Sequence, residues 1–168
     1  MNKLPHQHLK ENGFSLVELL IVVVIVGILC SIAIPNFLAS QRAANEASAI
    51  SGLRSIFSAE HVYASSNSGS FATLNELYTA GHIDASIGTA TNTKSRYRYN
   101  VIPDNVGNPT TFVAIARPIV HISTNPIMGS GTKNFGVCET GVIYQRSDNV
   151  DVTFDANRVD TLATPIGN

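Results

Sequence analysis

The chain has 168 residues, a length that suits one globular domain together with a membrane anchor. Hydrophobic residues make up 44% of it and charged residues only 14%, a balance that is natural for a chain with a long apolar helix. The formal net charge is −1 and no basic block occurs, so the composition predicts no specific nucleic-acid partner.

The chain begins with residues 1–13, MNKLPHQHLKENG, which are polar and mildly basic. Because this segment precedes an apolar run, the positive-inside rule predicts that it stays in the cytoplasm and that the rest of the chain faces the periplasm or the exterior. His6 and His8 form an H-x-H pair, but we predict no metal site there, because the segment is expected to be removed.

An almost unbroken apolar run covers residues 16–34, with one carboxylate, Glu18, near its start. Roughly 18 or more apolar residues can cross a bilayer as a helix, which satisfies its own backbone polar groups. An ionised carboxylate at the centre of a membrane helix costs about 2.5–3.5 kcal/mol, so a lone glutamate there normally has a partner. The alternative is an ordinary anchor in which Glu18 lies close enough to one edge to reach water.

The sequence GFSLVE at residues 13–18 resembles the processing signal of the type IV pilin family, which includes the pseudopilins of type II secretion. The resemblance implies that a prepilin peptidase cuts between Gly13 and Phe14 and methylates the new amino terminus on Phe14. It also implies that Glu18 is the residue used in assembly. Cleavage would expose the Phe14 amine, a cation in apolar surroundings, and Glu18 of a neighbouring subunit offers the opposite charge.

A conventional secretory signal is the alternative for this region, with a small-x-small cleavage site at residues 31–33. Two features oppose it: Glu18 would interrupt the apolar h-region, and such a region is normally about 7–15 residues long. Cys30 also suggests a lipoprotein site, but Leu29 stands where such sites require a small residue.

The helix is expected to continue beyond the apolar run, giving a membrane or filament-core segment at residues 14–35 and an amphipathic segment at residues 36–64. Pro35 removes a backbone donor and should kink the helix, and Gly27 adds a second flexible point. The resemblance implies that the stretch from Gly27 to Pro35 is a candidate for helix melting on assembly, because family members in filaments often lose helicity near a matching glycine and proline. A simple kinked membrane helix is the alternative. In the amphipathic segment the predicted apolar stripe consists of Ala43, Ala47, Ile50, Leu53 and Phe57, widened by Ile56 and Tyr63. Glu60 is expected among polar neighbours.

Residues 65–168 are predicted to form a globular head. The turn-forming residues 65–70 end the long helix, and Thr73 with Glu76 forms a capping-box signature for a short helix over residues 74–80 that ends at Gly81. Alternating patterns predict strands near residues 97–101 and 111–117 and a hairpin of residues 135–139 and 142–145. The predicted class is α+β and pilin-like, with one long N-terminal helix, its first half transmembrane, packed on a small antiparallel sheet of three to four strands.

The remaining polar residues predict no catalytic or metal centre and no cofactor. Cys30 and Cys138 lie too far apart in the predicted fold for an intrachain bridge, so the C-terminal disulfide of many type IV pilins is not expected. The aspartate and asparagine residues of the tail suggest a calcium site as an alternative to a solvated tail, but their spacing fits no recognised calcium-binding loop. They are Asp148, Asn149, Asp151, Asp155, Asn157 and Asp160.

The sequence therefore predicts a structural protein and not an enzyme. The first hypothesis is a subunit of an extracellular type IV pilus, and the alternative is a major pseudopilin that forms a periplasmic pseudopilus. The expected partners are other copies of the chain in a helical homopolymer, prepilin peptidase, the inner-membrane assembly machinery, and the membrane before assembly. The unassembled subunit is expected to span the inner membrane once, with its head in the periplasm.

Overall fold

The computed structural model describes residues 13–106, 110–125, 128–153 and 163–166. The chain divides into two compact units, Met1–Phe37 and Leu38–Asn168. The elements in chain order are α1 (Leu16–Ser66), α2 (Leu74–Thr79), α3 (Ala85–Gly88), β1 (Thr93–Lys94), β2 (Tyr97–Asp104), β3 (Thr111–Pro118), β4 (Asn134–Cys138), β5 (Ile143–Arg146) and β6 (Thr164–Pro165). The predicted leader and the domain boundaries after residues 13, 35 and 64 stay predictions, and residues 1–12 of the leader lie outside the described part.

The described part of the first unit is the apolar beginning of α1. Every residue from 13 to 37 is exposed, including the whole run of leucine, isoleucine and valine side chains. This helix is long and apolar enough to cross a membrane. Pro35 lies inside it, and the helix continues through that residue.

The second unit consists of an antiparallel sheet covered on one face by the later turns of α1. The sheet has the order β1-β2-β3-β4-β5-β6, so each strand pairs with its neighbours in the chain. Along β2 the side chains alternate between buried and exposed, as expected when one face of a strand is packed against a helix. The predicted α+β class with a long N-terminal helix is confirmed.

The prediction of three to four strands was wrong, because the sheet has six. The two additional strands, β1 and β6, have two residues each and lie at the sheet edges. A two-residue strand is too short to show the alternation by which strands are detected in a sequence. The short helix α3, capped by Asp84, was also not predicted.

Local signatures located the other elements correctly. Both hydrogen bonds of the predicted capping box at Thr73 and Glu76 are present at the start of α2. Gly81 follows that helix with a φ of 77°, a conformation that glycine adopts without strain. The predicted hairpin is formed by β4 and β5, with Gly141 at a φ of 77° between them.

The core lies between α1 and the inner face of the sheet. The α1 side of it is centred on Ala49, Leu53 and Ile56, all fully buried. The predicted stripe was partly wrong, because Ala43 and Ala47 are exposed. Facing α1 are side chains from three strands, Tyr97, Tyr99, Val101, Phe112, Ala114, Ala116, Phe135 and Val137.

Glycine allows α1 to approach the sheet closely. A Cβ built on Gly52 would lie 2.5 Å from the hydroxyl oxygen of Tyr99, closer than real Cβ contacts. The Tyr99 ring therefore occupies the space that a side chain at position 52 would need. A search for apolar residues at helical spacing does not identify Gly52 as part of the buried stripe.

Hydrogen bonds from α1 hold the loop between β3 and β4. Arg42 Nε donates to the Gly129 carbonyl at 3.3 Å, and Asn45 Nδ2 donates to the Ser130 carbonyl at 3.0 Å. One helical turn after Arg42, Glu46 Oε1 accepts hydrogen bonds from both the backbone N–H and the hydroxyl of Thr132, at 2.7 and 2.6 Å. Polar residues at the edge of the helix thus fix a segment that contributes little apolar surface.

Glu60 is buried in the same unit, against the prediction that it lies among polar neighbours. Its Oε2 accepts a hydrogen bond from the backbone N–H of Ala72 at 2.9 Å, which ties the segment before α2 to α1. Its Oε1 is buried without a hydrogen-bond partner among the described residues. Burial raises the pKa of Glu60 from 4.5 to about 7, because the charged form loses its hydration.

This burial predicts a pH-dependent stability of the head. The folded state binds a proton at Glu60 more tightly than the unfolded state, so the free energy of unfolding should fall as pH rises from 4.5 to about 7. Glu60→Gln retains an oxygen for the Ala72 N–H and cannot ionise. We expect this variant to lack a decline on the order of 3 kcal/mol across that window.

The measurement is urea unfolding of the full chain in detergent micelles, followed by tyrosine fluorescence because the chain has no tryptophan. Asp84→Asn is the control, since the Lys94 and Ser86 side chains lower the pKa of Asp84 to about 2, outside the window. A wild-type chain whose stability changes with pH exactly as that of Glu60→Gln would contradict the assignment.

Candidate functional site

The start of α1 brings together the residues singled out in the sequence. Ser15 immediately precedes the helix, and its Oγ accepts a hydrogen bond from the Val17 N–H at 3.3 Å. Glu18 Oε2 accepts a hydrogen bond from the Ser15 N–H at 3.2 Å. The Glu18 bond to the Ser15 N–H is one half of a capping box, and the Ser15 hydroxyl caps the N–H of Val17 and not that of Glu18, so two N–H groups are satisfied at this helix end.

This capping role of Glu18 was not predicted from the sequence. The signal was present, because Ser15-x-x-Glu18 has the same spacing as the Thr73-x-x-Glu76 pattern that correctly located α2. The carboxylate also lies in the first turn, where the positive end of the helix dipole stabilises a negative charge. Glu18 therefore has a structural task within its own chain.

The hydrogen bonds at this helix end do not neutralise Glu18, which has no oppositely charged partner among the described residues. Glu18 takes part in no ion pair within the described residues. Its Oε1 makes no hydrogen bond with them either, and Leu16, Val17 and Leu19 around it are exposed apolar residues. Glu18 is exposed in the subunit, and it would need a cationic partner only where this segment is buried in an apolar environment.

Gly13 and Phe14 lie just before the helix and are both exposed. No heavy atom lies within 4 Å of a Cβ built on Gly13, so the peptide bond that joins the two residues is open to approach. Phe14 is 83% exposed, and its ring makes no contact with another aromatic ring of the described residues. The geometry thus leaves this bond accessible to an enzyme.

Gly27 and Pro35 lie on the same exposed part of α1, and both are helical in the subunit. A Cβ at Gly27 would meet nothing within 4 Å, so neither side-chain packing nor a close backbone approach requires glycine there. Whether the segment between these residues melts in a filament stays a prediction.

The other candidate groups are dispersed over the chain. Neither cysteine forms a disulfide among the described residues; Cys30 is exposed on α1 and Cys138 is buried in β4. Within the described residues no group of three His, Cys, Asp or Glu side chains is arranged to hold a metal ion. In the tail, Asp148 pairs with Arg146 and Asp151 with Arg117. The tail residues Asp155, Asn157 and Asp160 of the calcium alternative lie outside the described part.

The sequence around the start of α1 is similar to that of known proteins. A family model described as a prokaryotic N-terminal methylation motif matches residues 9–34. The type IV major pilin protein PilA of Myxococcus xanthus is 35% identical over 92 residues, which are 55% of this chain and 37% of that protein.

Type II secretion system core proteins G are also similar. That of Escherichia coli is 33% identical over 54 residues, which are 32% of this chain and 37% of that protein. That of Vibrio cholerae is 37% identical over 59 residues, which are 35% of this chain and 40% of that protein. The matches thus span about two fifths of these relatives, and no solved structure matches the chain significantly. The methylation motif and these matches support the type IV pilin family in the broad sense that includes the pseudopilins of type II secretion.

Proposed function

We propose that the chain is a structural subunit of an extracellular type IV pilus, processed after Gly13 and assembled through packing of α1. The observation that carries the proposal is the apolar beginning of α1, exposed at every residue from 13 to 37 and bearing one carboxylate. Water is an unfavourable environment for such a surface. Lipid covers it before assembly, and the same segments of other copies cover it in the filament.

The contacts of Glu18 support its role in joining subunits. One carboxylate oxygen caps its own helix through the Ser15 N–H, and the other makes no hydrogen bond with the described residues. Cleavage after Gly13 creates a cationic amine on Phe14. The free oxygen of Glu18 then accepts the Phe14 amine of a neighbouring subunit, and this pairing sets the position of each new subunit along the filament axis.

The processing and orientation follow from the same segment. Prepilin peptidase removes residues 1–13 on the cytoplasmic side and methylates Phe14, and the head faces the periplasm. The subunit spans the inner membrane once until the assembly machinery adds it to a filament. The family is structural, which agrees with a role as a substrate, and not as a catalyst, in this chemistry.

The alternative is a major pseudopilin of a periplasmic pseudopilus, and the similarity to core proteins G supports it. The pilus is preferred because the similarity to PilA covers 92 residues of this chain. The leader and α1 together end at Ser66, so that match extends into the head. The matches to core proteins G, over 54 and 59 residues, are short enough to lie within the leader and α1.

Substitution of Glu18 tests the assembly role. Glu18→Gln keeps an oxygen that can accept the Ser15 N–H but removes the charge, whereas Ser15→Ala weakens the cap and keeps the charge. We expect Glu18→Gln to be cleaved normally and to reduce filament yield at least about tenfold, because it loses a charge pair in apolar surroundings. Ser15→Ala should be cleaved and should still assemble.

The measurement is an immunoblot of filaments sheared from cells, compared with the membrane fraction. Wild-type subunits in the sheared fraction support a pilus, whereas processed subunits confined to the cell envelope support a pseudopilus. Normal filaments from Glu18→Gln would refute charge pairing. Loss of filaments from both variants, with normal cleavage, would show that assembly requires the Ser15 cap in addition to the charge and would contradict the expectation for Ser15→Ala.

We also propose that residues 27–35 lose helical structure on assembly. Replacing Gly27 and Pro35 by alanine stabilises a helix by about 1 and 3 kcal/mol respectively. The double variant should therefore be cleaved normally and yield fewer filaments. Ser55→Ala, an exposed helix-favouring change later in α1, is the control and should leave the yield unchanged. Wild-type filament yield from the double variant would contradict the proposal.

A further inference from the structure

Three exposed residues of the second unit are joined through Arg96. The Arg96 guanidinium donates a hydrogen bond through Nη2 to the Met128 carbonyl at 3.1 Å, and the Arg96 carbonyl accepts one from the Ile119 N–H at 3.0 Å. Arg96 is exposed, and the apolar side chains of Ile119 and Met128 are 50% and 64% exposed. We call these three residues the Arg96 cluster.

The cluster carries a positive charge without a carboxylate paired to it. Arg96 forms no ion pair within the described residues. Residues 118–138, which include both apolar members of the cluster, contain no aspartate or glutamate. Glu46 of α1 bonds to Thr132 in that segment and forms no ion pair with Arg96. The cluster thus combines exposed apolar surface with an unpaired cation.

The backbone conformation at Arg96 favours other residue types. Lys94 pairs with Tyr97, so Ser95 and Arg96 form a two-residue hairpin turn, and their φ angles are 49° and 60°. Turns with two positive φ angles are normally occupied by asparagine and glycine. The Ser95 hydroxyl also bonds to that of Ser48 on α1 at 2.8 Å, which fixes the turn to the helix. The turn therefore presents an exposed arginine at a position whose conformation does not favour one, and such conformations occur preferentially at functional positions.

The chain connection keeps the cluster close to the apolar part of α1. Arg42 Nε bonds to the carbonyl of Gly129, the residue that follows Met128. Arg42 lies five residues after Phe37, the last residue of the first unit, and five residues span at most about 18 Å. The apolar run at residues 16–34 is about as long as the hydrocarbon core of a bilayer is thick, so its end lies at the headgroups when it spans one. The cluster is then held within reach of the lipid surface.

We propose that the Arg96 cluster rests on the bilayer surface in the unassembled subunit, with Ile119 and Met128 in the headgroup region and Arg96 bound to lipid phosphates. The inference rests on the membrane-anchored state of the proposed function. A guanidinium group matches the paired oxygens of a phosphate, and the two apolar side chains contact the upper part of the acyl chains. Each contact is weak by itself, but the anchor raises the effective concentration of lipid around the cluster.

Exposure of an apolar side chain does not by itself predict contact with lipid, because isolated exposed apolar residues are normal on protein surfaces. Val106 is 98% exposed. It follows β2, whose other end adjoins Arg96, and the eight residues of that strand rise about 27 Å. Val106 therefore lies far from the turn that carries Arg96, and we expect it to stay in water. It is the matched control for Met128.

Single tryptophans test the contact, because the chain has none of its own. Met128→Trp, Val106→Trp and Leu20→Trp are each introduced into the full chain, which is reconstituted as a single copy per nanodisc of equimolar phosphatidylethanolamine and phosphatidylglycerol. The same nanodiscs are prepared with lipids brominated near the headgroup end of their acyl chains, since bromine quenches tryptophan fluorescence on contact. We expect bromine to reduce the emission of Met128→Trp at least about twofold and to leave that of Val106→Trp unchanged. Leu20 belongs to the apolar run, so Leu20→Trp reports the anchor and should be quenched.

Substitution of the arginine tests the phosphate contact. In the Met128→Trp chain, Arg96→Gln should reduce the quenching at least about twofold, because a charge-assisted hydrogen bond to phosphate is lost. Arg96→Lys keeps the charge and should retain most of the quenching. Arg54→Gln removes an exposed arginine of α1 outside the cluster and should have no effect.

The outcomes separate this inference from the proposed function. Quenching of Leu20→Trp without quenching of Met128→Trp would overturn the inference and leave the proposed function standing. Absence of quenching in Leu20→Trp would refute the membrane anchor and both proposals with it. Equal quenching of Met128→Trp and Val106→Trp, or equal effects of Arg96→Gln and Arg54→Gln, would also overturn the inference. An emission of Met128→Trp that changes only when more chains are loaded per nanodisc would assign the cluster to a second copy instead of lipid.

Discussion

The central constraint on this molecule is one carboxylate at the start of an otherwise apolar helix. Glu18 caps its own helix through the Ser15 N–H, but it finds no cation within the described residues. The surrounding side chains are exposed and apolar, so the isolated subunit is incomplete in two respects: an uncovered apolar surface and an unpaired charge. Under the proposed function, a second copy with a free amine on Phe14 would supply both the apolar cover and the opposite charge.

In the second unit, the later turns of α1 pack on the sheet and bind its connecting segments. Their apolar stripe, centred on Leu53 and Ile56, packs against the inner face of the sheet. Polar residues at the edge of the same helix bind the loop between β3 and β4, and Glu60 binds the backbone before α2. Side chains from one helix therefore tie both of these connecting segments to it by hydrogen bonds.

Much of the fold could be predicted because its signals are local. The capping box at Thr73, the alternation along β2 and the glycine turn at Gly141 each depend on a few neighbouring residues. The assembly residues are also inferred from one contiguous motif, and that assignment stays a prediction. Burial of Glu60 and the Arg96 cluster could not be predicted, because they arise from residues far apart in the chain. The edge strands β1 and β6 are too short to show any period.

The most direct test of this account is the mass of the mature chain, because the pairing of Glu18 requires a free amine on Phe14. Intact-mass and N-terminal peptide mass spectrometry on protein purified from the cells that make it would provide the answer. We predict a chain that begins at Phe14 with one added methyl group on its amino terminus. A mature chain that begins at Ile34, as a conventional secretory signal would produce, would lack Glu18 altogether and would contradict the central claim.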